Sequence, residues 1–455
     1  MSVVLNNIFS LIITISVLVA IHEFGHYIVA RMCGIKVLRF SIGFGKPIIS
    51  RRWGADQTEY CISALPLGGY VKMLDEREGN VSPQDANRSF NAQPVWQRIA
   101  VLLAGPAFNF LFAIAAYWFI FSVGMQVTRP VVGQVVPDSP AARAGLQYND
   151  VIAAIGDRTI KNWQGGVQVL VNELVDDARI PLTIERADGS RLDVVIEASK
   201  QAARLSEPGK LFESLGFRPW SERAIVGEAT PGSAAELANM RSGDQVIAVN
   251  GEPVFLWTEF VTAVRANGDA PLALQIVRDG VEQTIDMSPR MVEEQGQRIP
   301  RVGVTAQDQR PDNLYGVEQY GWAASLPVAV NKTAETIGFT FKIFGRMLTG
   351  SVSTKNISGP INIAQYATVT LSRGGRSFLD FLAMVSVSLG VLNLLPIPML
   401  DGGQIVYQAV EGLTGKPLSE KWQIAGQQVG IFLLLGVMSL AFYNDIARVV
   451  GQLLS

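Results

Sequence analysis

The chain has 455 residues, of which 48% are hydrophobic and 17% charged, and it carries a formal charge of −2. Its mean hydropathy of +0.24 is too apolar for an ordinary soluble protein and too polar for a bare bundle of membrane helices, so a mixed architecture is expected. No basic excess exists to neutralise phosphates, which excludes nucleic acid as a partner. The two cysteines, Cys33 and Cys61, have neither the spacing of a redox or metal pair nor that of a disulfide framework.

The first element in the chain is an apolar run from Leu5 to Met32. It lacks the Lys/Arg-rich start of a secretory signal and outruns a signal's apolar core, so residues 1–32 are expected to form a retained membrane span. Inside it lies His22-Glu23-Phe24-Gly25-His26, an H-E-x-x-H motif. On a helix the two imidazoles stand one turn apart on one face and can reach a single zinc ion, while the intervening carboxylate is close enough to take a proton from an attacking water. Short motifs arise by chance, but this chain has only two histidines and both fall here. Ionisable groups in an apolar span are costly, about 2.5–3.5 kcal/mol each for Asp, Lys or Arg at a helix centre, and usually serve a function.

Residues 33–97 carry Lys36, Arg39, Lys46, Arg51, Arg52, Lys72, Arg77 and Arg88, whereas no Lys or Arg precedes Leu5. The bias places this loop in the cytosol and the N-terminus outside. A second span follows over residues 98–123. The long stretch from Gly124 to Ser377 then lies outside, a third span over 378–402 returns inward, and a fourth occupies 427–450, with Lys416 and Lys421 on the cytosolic side. Thr336 to Leu348, interrupted by Lys342 and Arg346, is too short to cross and is expected to be an interfacial helix within an outer region spanning 315–377.

The outer stretch contains a duplication. SPAARAGLQYNDVIAAIGD from Ser139 is matched by SAAELANMRSGDQVIAVNG from Ser233, at a constant offset of 94 residues from Asp150 to Asp244. Both copies resemble PDZ domains, with a small-residue helix, a turn ending in Asp, an apolar strand and then a turn at Gly156-Asp157 or Asn250-Gly251. The copies are expected over 128–200 and 221–292, joined by a polar linker from Ser199 to Glu222 that holds Pro208, Gly209 and Pro219. Peptide capture at a sheet edge and a spacer or gate role both fit, since no clear carboxylate-binding loop precedes either copy.

A catalytic zinc takes three protein ligands and leaves a position for water. With no third histidine, the remaining ligand is a carboxylate or one of Cys33 and Cys61; the motif does not extend as in metzincins, because Val29 stands where those have Gly. Of the carboxylates near later spans, Asp380 and Asp445 fall toward the outer side, whereas Asp401 arrives on the side of His22 and His26. It follows Asn393-Leu-Leu-Pro-Ile-Pro-Met-Leu, where Pro396 and Pro398 interrupt helical bonding and Gly402-Gly403 permits a turn. Irregular backbone at membrane depth persists only where protein or a water-filled cavity satisfies it.

HEFGH in the first span, NLLPIPMLDGG in the third and the paired PDZ-like copies between the second and third resemble the bacterial site-2 proteases. The resemblance extends to GFG at Gly43–Gly45, PLGGYVKML at Pro66–Leu74 and AGPAFN at Ala104–Asn109. It implies a multi-domain membrane protein with four transmembrane helices as catalytic core and two tandem PDZ domains, α+β with partly open antiparallel sheets, on the extracytoplasmic side of the bacterial inner membrane. It also implies one catalytic zinc held by His22, His26 and Asp401, with Glu23 as general base and the active site toward the cytosol. Substrate would be held by Asn393 with Pro396 and Pro398, and by Gly68, Gly69 and Tyr70 of a membrane-dipping hairpin. The implied partners are membrane lipids and single-pass proteins already trimmed outside, among them an anti-sigma factor of the envelope stress response and remnant signal peptides. Competing readings are a metal-dependent lipid hydrolase, which leaves the PDZ-like pair unexplained, and a PDZ-bearing membrane scaffold with an inactive motif.

Overall fold

The computed structural model describes residues 2–76, 81–177, 179–186, 188–198, 210–294, 297–311 and 314–454. Arg77 of the basic loop and Pro208 and Gly209 of the expected linker lie outside the described residues. The chain divides into two units, residues 1–125 with 317–455, and residues 126–316.

The first unit is built on α1 (Ser2–Met32), α2 (Val95–Val123), α3 (Trp322–Leu348), α4 (Pro360–Ser372), α5 (Gly375–Asn393), α6 (Asp401–Thr414) and α7 (Glu420–Leu454). Among the described residues, four stretches are long and apolar enough to cross a bilayer: Val4–Met32, Val95–Val123, Gly375–Asn393 and Glu420–Val450. The chain is thus a membrane protein with a β-rich part. Its core packs Ala113, Ala116, Tyr117 and Ile120 of α2 against Ala383, Val387 and Val391 of α5 and Ala329 of α3. Small residues on α2 let the neighbouring backbones approach, the usual device where lipid offers no hydrophobic drive for helix association.

Three elements depart from their expected outlines. The stretch expected as a short interfacial helix from Thr336 begins at Trp322 and runs 27 residues. The third span stops at Asn393 because Pro396 and Pro398 carry no N–H for a continuing helix; tight bonds from Ile397 N to Leu395 O (2.7 Å) and from Leu400 N to Ile397 O (2.9 Å) turn the chain before α6 restarts at Asp401. That turn needs glycine next: a Cβ at Gly402 or Gly403 would lie 2.5 Å from the carbonyl carbon of Leu394 or Ile397. Finally, Pro66–Leu74 is not a separate hairpin. Val37–Trp53 (β1) and Thr58–Met73 (β2) form one bent sheet, in which residues 39–42 are registered with 59–62 on one side and with 69–72 on the other.

The second unit repeats a fold twice. Strands Arg158–Thr159, Val151–Ile155, Arg179–Glu185 and Arg191–Glu197 form a four-stranded antiparallel sheet in that order, and Glu252–Pro253, Gln245–Val249, Leu272–Arg278 and Val281–Met287 form its counterpart. Each copy starts a short helix with a serine cap, the Ser139 side chain accepting from Ala142 N and Ser233 from Glu236 N. Each has one long helix, Trp163–Asp177 or Trp257–Asn267. Each also closes with a strand beyond its expected limit: Phe217–Pro219 pairs with Val132–Val135, and Val304–Ala306 with Val226–Ala229.

Candidate active site

Helix α1 presents His22 and His26 on one face, both buried. Their Nε2 atoms are 3.2 Å apart. Asp401, at the first turn of α6, brings Oδ2 to 3.2 Å from His22 Nε2 and 3.5 Å from His26 Nε2. Zinc bonds of about 2.0–2.1 Å to nitrogen and oxygen imply ligand atoms about 3.3 Å from one another around a tetrahedron, and the three separations match this. Among the described residues these three side chains form the one His/Cys/Asp/Glu group able to hold a metal ion. Cys33 and Cys61, the alternative third ligands, stand outside it as free thiols. Asp445 is occupied elsewhere, its oxygens accepting from Gly359 N and Asn362 N at the start of α4.

Hydrogen bonding explains why the cluster calls for a cation. His26 Nδ1 donates to the Val101 carbonyl at 2.8 Å, which leaves the Nε2 lone pair free. His22 Nδ1 lies 3.1 Å from the Asn109 amide. The Asn109 Oδ1 atom is buried without a partner, and turning the amide over lets it accept from His22 Nδ1–H, which frees the second Nε2 as well. Asp401 Oδ2 is also buried with no hydrogen-bond donor. Two imidazole lone pairs and a carboxylate oxygen then converge, an arrangement that repels itself unless a positive ion lies among them. The residues fit zinc.

Helix α2 sits against this face because two glycines allow it. A Cβ at Gly25 would lie 2.8 Å from the Ala104 carbonyl carbon, and a Cβ at Gly105 would lie 2.6 Å from His22 Cε1 and press on His26 Nε2. The AGPAFN stretch carries the resemblance, but the sequence alone assigns no role to Gly105 or Asn109 and gives no sign of the Val101 carbonyl. The signal within the motif was an asparagine one turn beyond Gly105 in an otherwise apolar helix.

Glu23 is half-buried beside strand β2, where the Val71 backbone amide faces its carboxylate. The strand carrying Val71 runs close along α1, so close that a Cβ at Gly69 would lie 2.7 Å from both Val19 Cγ1 and the Ser41 carbonyl oxygen. A Cβ at Gly68 would run into the Phe44 ring. Tyr70 stacks on that ring at 6.2 Å and accepts from Arg39 at 2.9 Å. The expected substrate residues divide in position. Asn393 points its amide to within 3.3 Å of His22 Nε2, Pro398 abuts α7 near Gly426, and Pro396 is exposed.

Comparison with known proteins agrees with this chemistry. The profile of peptidase family M50 matches residues 10–437. The regulator of sigma-E protease RseP of Escherichia coli is 38% identical over 444 residues, covering 96% of this chain and 98% of its own. RseP of Salmonella typhimurium is 38% identical over 452 residues, covering 98% and 99%. A Neisseria meningitidis protein assigned by name to the zinc metalloproteases is 38% identical over 453 residues, covering 98% and 100%. With a family match and relatives that both run nearly end to end, the chain belongs to peptidase family M50 and is an intramembrane zinc metalloprotease of the site-2 type.

Proposed function

We propose that His22, His26 and Asp401 hold the catalytic zinc, that Glu23 is the general base, and that the enzyme cuts single-pass proteins within their membrane spans. The observation that carries this reading is the convergence of three ligand atoms within 3.5 Å of one another, next to a carboxylate they do not use. Zinc in such a site polarises the scissile carbonyl and acidifies water. Glu23 takes the proton of the attacking water and delivers it to the leaving amine, with the Val71 N–H facing its carboxylate.

A substrate helix spends its amides on its own carbonyls, so it must open before a peptide carbonyl reaches the ion. Residues Gly68, Gly69 and Tyr70, beside Glu23, provide backbone that can pair with the opened segment as an added strand. Asn393 lies close enough to the ligands to donate its amide to a substrate carbonyl, with Pro396 and Pro398 shaping the loop around it. Spans containing a helix-weakening residue are the preferred substrates; cleavage of a matched all-leucine span at an equal rate counts against this.

The repeated modules of the second unit are PDZ domains that screen or capture substrates. Their reading rests on the duplicated sheet order and serine caps. The second module has a cavity of about 580 Å³ beside helix Trp257–Asn267, lined by Phe260, Val264 and Val302. In the first, Phe212 packs edge-on against Trp163, the counterpart of Trp257. We read the protein in the bacterial inner membrane with its N-terminus and PDZ domains periplasmic and its zinc toward the cytosol. Its substrates are an anti-sigma factor of a sigma-E type stress pathway and remnant signal peptides.

Co-expression of wild type or Glu23→Gln with tagged single-span proteins, with and without their outer domains, tests the proposal. Fragment release from the shortened substrates is expected with wild type only, with turnover lowered about 10²–10⁴-fold by the substitution while zinc is retained. Function preserved in Glu23→Gln would favour a scaffold instead.

A further inference from the structure

Helix α2 supplies no metal ligand, yet it restrains two of them. Val101 O holds His26 and Asn109 holds His22. The third ligand has no such direct tie, because Asp401 stands at the start of α6, a 14-residue helix cut off from α5 by the proline loop. Ten residues further along α6, about 15 Å at 1.5 Å per residue, Glu411 meets Arg98, one turn before Val101 on α2. The guanidinium donates twice, Nη2 to Oε1 at 2.6 Å and Nη1 to Oε2 at 3.1 Å. The Arg98 side chain is 9% exposed and that of Glu411 22%.

A fork of this kind fixes rotation as well as distance, which a single hydrogen bond does not. Rotation is the coordinate that matters for Asp401. A side-chain atom about 5 Å from a helix axis moves roughly 2 Å when the helix turns by 20°, a displacement as large as the zinc–oxygen bond itself. The glycine contacts at the start of α6 seat it against the proline loop through bare backbone, which makes no directional bond against a roll. Arg98 and Glu411 act at the opposite end, where the same roll would pull their two parallel bonds apart.

We propose that the Arg98–Glu411 pair is a positioning device for the third metal ligand, locking the rotation of α6 so that the Asp401 carboxylate stays on the ion, and that α2 is thereby the common reference for all three ligands. This inference rests on the reading of His22, His26 and Asp401 as the zinc site, and its test separates the two.

The test is equilibrium binding of Co²⁺, followed by the visible absorption of a tetrahedral site, to full-length protein stripped of metal in detergent. Thermal unfolding of the metal-free protein is measured in parallel. Glu411→Gln, which keeps shape and removes charge, and Arg98→Met are each expected to weaken Co²⁺ binding about tenfold, the lower end of what outer partners of metal ligands are worth. The exchange Arg98→Glu with Glu411→Arg is expected to recover most of that loss. In an Asp401→Ala background, Glu411→Gln is expected to have no further effect, since the pair acts only through Asp401. Wild-type Co²⁺ affinity in both single variants, alongside a clear loss in Asp401→Ala, overturns the inference and leaves the site reading intact. A lowered unfolding temperature with unchanged affinity also overturns it and makes the pair a plain stabiliser. Unchanged affinity in Asp401→Ala overturns the site reading, and the inference with it.

Discussion

The membrane unit and the 126–316 unit bring distant residues together by opposite means. In the 126–316 unit the main structural devices occur twice, once in each copy: a serine cap, a buried aspartate, a four-stranded sheet, a closing strand. In the membrane unit the essential contacts occur once, join separate helices, and depend on bare backbone at Gly25, Gly105 and Gly402-Gly403. Redundant local bonding tolerates change in one copy, whereas a centre assembled from single remote contacts does not. Substitutions in the two units should therefore fail differently, one losing local stability and the other losing metal.

The sharpest break should come from Gly105→Val. Its side chain would occupy the space of the two imidazoles, so metal binding should fall by at least about a thousandfold, about 4 kcal/mol or more, while hydrogen exchange in residues 126–316 stays as in wild type. A variant that keeps stoichiometric zinc would show that α2 can retreat from the site. In the 126–316 unit the largest effect should come from Asp244→Ala, which strands the Arg278 guanidinium that donates to it at 2.7 Å from both Nε and Nη2. Breaking such a buried pair costs about 3–5 kcal/mol, expected as faster exchange confined to that module. The equivalent Asp150 meets Arg186 only at 3.7 Å, so Asp150→Ala should cost roughly half as much, and equal costs would erase the distinction between the copies.

Returning to the membrane unit, Asn109→Leu should weaken zinc about 10–100-fold by removing the partner of His22 Nδ1, whereas Asn109→Asp, a stronger acceptor there, should bind more tightly than the leucine variant. The reverse order would make Asn109 a packing residue. The smallest effect concerns pH. Hydrogen bonds from the Arg88 guanidinium hold the Asp56 carboxyl below its usual range. Because the folded value is depressed, the stabilisation is present above the unfolded carboxylate pKa of about 3.9 and is lost as pH falls through the folded value. Asp56→Asn should flatten the acid side of the stability profile below about pH 4, and an unchanged profile would assign that slope to other carboxylates.

How legible each region was in the sequence follows from the same contrast. The meeting of His22 with His26 is legible because helical spacing puts them on one face, and that of Asp401 with them because the order of the spans implies it. Asn109 and the Val101 carbonyl were not, since no spacing rule says which residue of a second helix meets an imidazole. Pro396 and Pro398 announced irregular backbone, but the restart of a helix at Asp401 depends on glycines whose need appears only once the Leu394 and Ile397 carbonyls are in view. In the 126–316 unit the repeat itself is plain in the sequence. Its closing strands were missed because they are three residues long and pair with strands far earlier in the chain. What the two closures share shows only in the fold: Gly216 and Gly303 both have positive φ, +77° and +79°, and each lies against the capping serine of its own copy.

The restraint on His26 is made by main chain, not by a side chain. Replacing Val101 with any other amino acid leaves the oxygen in place, so no point-mutant survey directed at that codon will report its importance. The most mutation-proof support of the reacting centre is thus the one that genetics is least able to reveal, and it calls for backbone chemistry, such as an ester in place of the amide that carries this carbonyl, to be weighed at all.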